Sequence, residues 1–105
     1  MAGVAMTVGA LAVTASLAVG CAVSTAVSVR SVRLSGIADA AALAAADTLS
    51  GAAWGIPCER AEQIVRRGGA RLEACEIDEA VATVVVTAPF GAFTVRARAR
   101  AGPAL

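Results

Sequence analysis

Residues 4–29 read VAMTVGALAVTASLAVGCAVSTAVSV, the greater part of an uncharged run that extends from Met1 to Val29. The run contains no Asp, Glu, Lys or Arg, and it exceeds the roughly 20 apolar residues that carry a helix across a bilayer. Hydrocarbon offers no partner to backbone N–H and C=O. A lone apolar segment entering it must therefore satisfy them internally as a helix, despite its many β-branched Val and Thr residues. Residues 1–29 are expected to form a transmembrane helix. A cleaved secretory signal fits poorly, because no basic residue precedes Arg30 and the apolar core is about twice the roughly 7–15 residues of a signal. Ala18-Val19-Gly20-Cys21 departs from a lipoprotein cleavage site: Ala18 stands where a large aliphatic residue is usual, and the apolar run continues past Cys21. A buried core helix would need a large soluble domain around it, which 105 residues do not supply.

Composition agrees. The chain is 58% hydrophobic but only 3% aromatic, with a mean hydropathy of +0.76, so its apolar character comes from Ala and Val. One membrane segment and one small domain account for that balance. Nine arginines against eight acids leave a formal charge of +1, which provides no overall field for nucleic acid. There is no histidine. The commonest general base and metal ligand is thus missing, and three cysteines without a His partner do not make a zinc site. No Ser, Cys or acid stands in a recognisable catalytic spacing, so no enzyme and no cofactor are expected.

Within the apolar run Thr14, Ala18, Ala22 and Ala26 recur every four residues, a small-residue stripe that lets another helix approach closely in lipid. An alanine-rich helix can also show such a stripe by composition alone. From 30 to 50 the helix is expected to continue outside the membrane, since the segment is rich in strong helix formers and lacks proline. Leu34, Ile37, Ala41, Ala45 and Leu49 mark one apolar face that needs a cover. Gly36 is its weak point, while Asp39 and Asp47 read as solvated residues. Gly51 and then Gly55-Ile56-Pro57 end the helix.

Residues 51–105 are expected to form a small α+β domain. A second helix begins at Pro57, carries Glu59 and Glu62 near its start and Arg66 and Arg67 near its end, and stops at Gly68-Gly69. That is the charge order a helix dipole favours. Cys58, Ala61, Ile64 and Val65 share its apolar side, and Arg60, Gln63 and Arg67 its polar one. Trp54 has two readings, an anchor of the loop at the membrane surface or a residue of the small core, and the core is favoured because it lies far from the membrane boundary. Three short runs follow, 72–77, 81–88 and 92–101, separated by Asp78-Glu79 and Pro89-Phe90-Gly91, as in an antiparallel meander. In the last run Phe93, Val95, Ala97 and Ala99 alternate with Thr94, Arg96, Arg98 and Arg100, so Arg96, Arg98 and Arg100 share a face. That face can hold anionic lipid or an acidic partner; it can equally be a solvated face whose charge discourages edge pairing.

Cys58 and Cys75 flank the second helix and look like a disulfide pair. Such a bond would stabilise a small domain by about 3 kcal/mol through loss of unfolded-chain entropy. Two buried reduced thiols are the competing reading, and Cys21 would remain unpaired in lipid.

These residues together carry a resemblance. Arg30 and Arg33 followed by Ala38-Asp39-Ala40-Ala41-Ala42-Leu43-Ala44-Ala45-Ala46, then Cys58 with Ala61, Gly69-Ala70 with Leu72 and Cys75, and the ending Ala99-Arg100-Ala101-Gly102-Pro103-Ala104 resemble the actinobacterial TadE-like proteins encoded beside helicase and secretion genes. The resemblance implies a minor pilin or pseudopilin-like component of a tight-adherence or type II-related secretion system, with a pilin-like fold. Its partners would be other pilin-like subunits and the inner-membrane platform of the secretion system. One departure stands: pilin-type precursors usually carry a basic leader, a Gly cleavage site and a Glu at the fifth mature position, and neither Gly3 nor Gly9 is followed by such an acid.

Topology rests on two opposed signals. Arg30 and Arg33 after the helix favour a cytoplasmic C-terminal part by the positive-inside tendency. The cysteine pair and the pilin-like resemblance favour the opposite, and on that balance residues 34–105 are expected outside the cytoplasmic membrane, after a single pass. Two function classes stay open, a structural subunit working by helix packing and a monomeric membrane-anchored binding protein using the Arg face. Adjacent secretion ATPase and pilus-platform genes would favour the first.

Overall fold

The computed structural model describes residues 2–103, so Met1 of the expected transmembrane helix, Ala104 of the quoted ending, and Leu105 lie outside the described residues. Five elements follow in order: α1 (Ala2–Ser50), α2 (Pro57–Arg67), β1 (Arg71–Asp78), β2 (Val81–Phe90) and β3 (Phe93–Ala101). The fold is α+β, as expected. α1 is one unbroken helix of 49 residues, about 73 Å long at about 1.5 Å per residue. It accounts for nearly all of the molecule's 76 Å long axis.

The first half of α1 tolerates hydroxyl side chains because the helix satisfies them itself. Thr7, Thr14, Ser16 and Thr25 donate to the carbonyls of Gly3, Ala10, Ala12 and Cys21 at 2.8–2.9 Å, so these four hydroxyl protons are paired within the helix. The second half carries the head. Leu34, Ala38, Ala41, Ala42 and Ala45 are buried against α2 and the sheet, and Ile37 and Leu49 pack at the margin of the same face. The expected apolar stripe is thus the one that finds its cover.

α1 ends where the sequence breaks it. Gly51 takes a left-handed φ of +83°, its N–H donates to Thr48 O at 3.3 Å, and Ala53 N–H donates to Asp47 O at 3.1 Å. This glycine cap satisfies carbonyls that the last turn leaves free. α2 starts with Pro57 in its first turn, where a missing N–H costs no helical bond. It ends as Gly68, Gly69 and Ala70 donate to Ile64, Arg66 and Val65. Ala61 and Val65 are its buried residues, flanked by half-buried Cys58 and Ile64.

The three strands form an antiparallel meander in the order β1-β2-β3. Val84 pairs with Cys75 on one side and Ala99 on the other, and Val86 with Leu72 and Ala97. These residues form the inner face. Between Leu72 and Ala74 the register shifts, so Glu73 is the extra residue of a β-bulge. The β2–β3 connection differs from expectation: Pro89 and Phe90 extend β2, Phe90 pairs with Phe93, and the turn is only Gly91-Ala92. Gly91 has φ +59°, as the first position of a two-residue hairpin turn allows. Pro89 is tolerated because it lies past the last β1–β2 pair, Arg71 with Thr87, where β2 has one neighbour only.

The core between helices and sheet is thin. Its largest fully buried side chains are Val65, Val84 and Val86, each worth about 1.5–3 kcal/mol of burial; most of the rest is alanine. Small residues let the layers approach closely, and they explain a correction. Trp54 is not a core residue: it is 96% exposed, on the Gly51–Ile56 connection beyond the end of α1. An alanine-lined layer leaves no room for an indole.

Candidate functional site

Three surfaces carry the residues singled out by sequence. The first is the projecting half of α1. Every residue from Ala2 to Arg33 whose side chain is described is exposed, including Met6 at 77% and Val32 at 73%. Ala2–Ala22 is long and apolar enough to cross a membrane, and none of that span is covered by the rest of the chain. Thr14, Ala18, Ala22 and Ala26 are all exposed on it. The Thr14 hydroxyl is turned to Ala10 O at 2.9 Å, so the line of four presents small side chains and a satisfied donor.

The second is the head's covalent tie. Cys58 in the first turn of α2 is joined to Cys75 of β1, with Cα atoms 5.9 Å apart. A loop of that length constrains the unfolded chain by about 3 kcal/mol, comparable with one or two of the buried valines. Cys21 is a free, exposed thiol on the projecting helix.

The third is the outer sheet face. Arg96, Arg98 and Arg100 lie on it together, opposite Thr87, Val85 and Thr83 of β2, and all three are exposed. Arg96 Nη2 reaches across the central strand to Glu73 Oε1 at 2.8 Å, which the bulge brings within range. In this half-exposed setting such a pair contributes about 0.2–1 kcal/mol. Arg100, Thr83 and Glu76 follow one another across the sheet, so the face carries arginines along β3 and carboxylates along β1. Among the described residues no group of three His, Cys, Asp or Glu is placed to hold a metal ion.

One feature has no signal in local sequence patterns. The Arg30 guanidinium lies 5.6 Å from the centre of the Phe90 ring, so the β2–β3 hairpin tip sits beside the point where α1 leaves its uncharged run. Phe93, across that hairpin from Phe90, is 75% exposed. Hydrophobic periodicity places neighbours along one element and is silent on contacts between elements this far apart; the exposed phenylalanine became visible only with the hairpin register. Comparison with protein-family models, with curated proteins and with solved structures gives no match.

Proposed function

We propose that the chain is a structural, non-enzymatic subunit, a minor pilin or pseudopilin-like component of a tight-adherence pilus or type II-related secretion system. It is held in the cytoplasmic membrane by a single pass, with residues 34–105 on the extracytoplasmic side. The observation that carries this reading is the division of α1 into an uncovered apolar half and a half that nucleates a disulfide-tied head. A helix built this way is an anchor and a packing element at once. Lipid tails are as apolar as the helix, so association there depends on close backbone approach, and Thr14, Ala18, Ala22 and Ala26 supply it. The Cys58–Cys75 bond suits an oxidising compartment, and the resemblance to TadE-like proteins points the same way. Both weigh against the bias from Arg30 and Arg33.

The partners under this reading are other pilin-like subunits and the inner-membrane platform of the secretion system; nucleic acid is not among them. Affinity purification of the full-length chain from native membranes tests it. Pilin-like membrane proteins and platform components should co-purify, and a chain that purifies alone after mild crosslinking would contradict the proposal.

A second reading draws on the exposed row of Arg96, Arg98 and Arg100. It makes the chain a monomeric membrane-anchored binding protein that recognises an acidic partner through the sheet. Loss of all co-purifying proteins in an R98Q/R100Q variant, with the Ala18–Ala22 region intact, would favour it over helix packing.

A further inference from the structure

The end of the head where α1 leaves its uncharged run carries four arginines, with Glu62 lining a neighbouring hollow beside Arg66 and Arg71. Arg30 and Arg33 stand on α1, and with Leu34, Ile37, Gly68 and Gly69 they line a shallow groove. Gly68 and Gly69 follow Arg67, the last residue of α2, and Arg71 opens β1 opposite Thr87. The ion pairs among the described residues are Arg66 with Glu62 and Arg96 with Glu73. Arg30, Arg33, Arg67 and Arg71 are therefore exposed with no carboxylate bound to them. Beside them hangs the uncharged tip Phe90-Gly91-Ala92-Phe93, its Phe93 ring open to the outside and its Phe90 ring under Arg30.

The position of this cluster is set by the helix. Arg30 is the first charged residue after the uncharged run and lies eight residues beyond the Ala2–Ala22 span, so the arginines, and the hairpin tip that touches Arg30, are the first charged and aromatic surface met as α1 leaves its apolar part. Arginines attract anionic lipid within a Debye length, and an exposed aromatic on a basic surface is the usual companion of interfacial binding.

We infer that the head docks on the anionic leaflet from which α1 emerges, with Phe93 entering the headgroup layer and Arg30, Arg33, Arg67 and Arg71 on lipid phosphates. This rests on the reading of α1 as a membrane span. Docking would fix the tilt of the head on its helix before any partner binds, and it uses a surface distinct from the outer sheet face. Arg98 and Arg100 remain free for a different contact.

Trp54 is the only tryptophan and lies at the opposite end of the head, so it serves as an internal control. The experiment uses the full-length chain in nanodiscs of phosphatidylglycerol and phosphatidylcholine carrying headgroup spin-labelled lipid. In W54F/F93W the single indole should be quenched several-fold more than Trp54 of the parent, and the difference should shrink in phosphatidylcholine alone or in an R67Q/R71Q background. A fluorophore on Ala92→Cys in a C21S chain provides a second reporter at the tip should the tryptophan variant fold poorly. Equal quenching at both ends, with Cys21 protected from a membrane-impermeant maleimide, overturns the docking while leaving the span standing. Free labelling of Cys21 overturns the span and the docking together.

Discussion

Gly68 packs directly on Ile37: a Cβ built on this glycine would lie 2.6 Å from Ile37 Cδ1 and 2.9 Å from its Cγ1. The contact seats the end of α2 on α1 at the start of the buried stripe. Three atoms of a β-branched side chain crowd the site, so Ile37 cannot yield by rotating one terminal methyl. Gly68→Ala should destabilise the head by about 1–3 kcal/mol. Gly36, one residue before Ile37 on an exposed face of α1, meets nothing within 4 Å, and Gly36→Ala should stabilise by up to about 1 kcal/mol. Urea unfolding in detergent, followed by head-domain circular dichroism, should move the two midpoints in opposite directions.

Arg30 and Phe90 should be coupled. A cation over an aromatic face in a half-exposed setting contributes about 0.5–1 kcal/mol, so a double-mutant cycle of Arg30→Gln and Phe90→Leu should return a coupling in that range. Additive effects would mean that the ring and the guanidinium are merely adjacent.

The disulfide should be the largest single contribution in the head. With a core whose biggest fully buried side chains are valines, Cys58→Ser or Cys75→Ser should cost about 2–5 kcal/mol. Thiol labelling of the denatured, unreduced protein should modify Cys21 and neither of the others. Modification of all three would refute the bond.

The orientation of the head has its own test. Alkaline phosphatase fused after Leu105 should be active, because residues 34–105 are proposed to lie outside the cytoplasm. An inactive fusion, together with an active cytoplasmic reporter at the same site, would reverse the topology in favour of the bias set by Arg30 and Arg33.

What could be read from residues alone follows the strength of local physics. The helix boundaries at Gly51, Pro57 and Gly68 were legible because each is written in backbone chemistry, a left-handed cap or a missing N–H. The inner face of β3 was legible from period two, and Ala99 is buried with Val95 and Ala97 partly covered beside it. The end of β2 was not. Pro89 and Phe90 look like turn residues, yet the strand passes through them because β1 has already ended and Pro89 has only one neighbour to satisfy. Trp54 misled for a different reason: its distance from the membrane boundary argues for burial in the head, but a layer set by alanines excludes it. The Glu73 bulge, the Arg96–Glu73 pair it permits and the Arg30–Phe90 contact depend on register and tertiary placement, which leave no periodic trace.

The central claim is that the projecting helix works by lateral packing with other pilin-like helices, and one double substitution tests it most directly. Replacing Ala18 and Ala22 by Leu keeps the segment at least as apolar, so membrane insertion should be unchanged, while the added bulk blocks close backbone approach along the stripe. The A18L/A22L chain should appear in the membrane fraction at parental levels and lose crosslinking and co-purification with neighbouring pilin-like subunits. If it inserts and co-purifies as well as the parent, the line Thr14, Ala18, Ala22 and Ala26 is an accident of composition, and helix packing is not how this protein works.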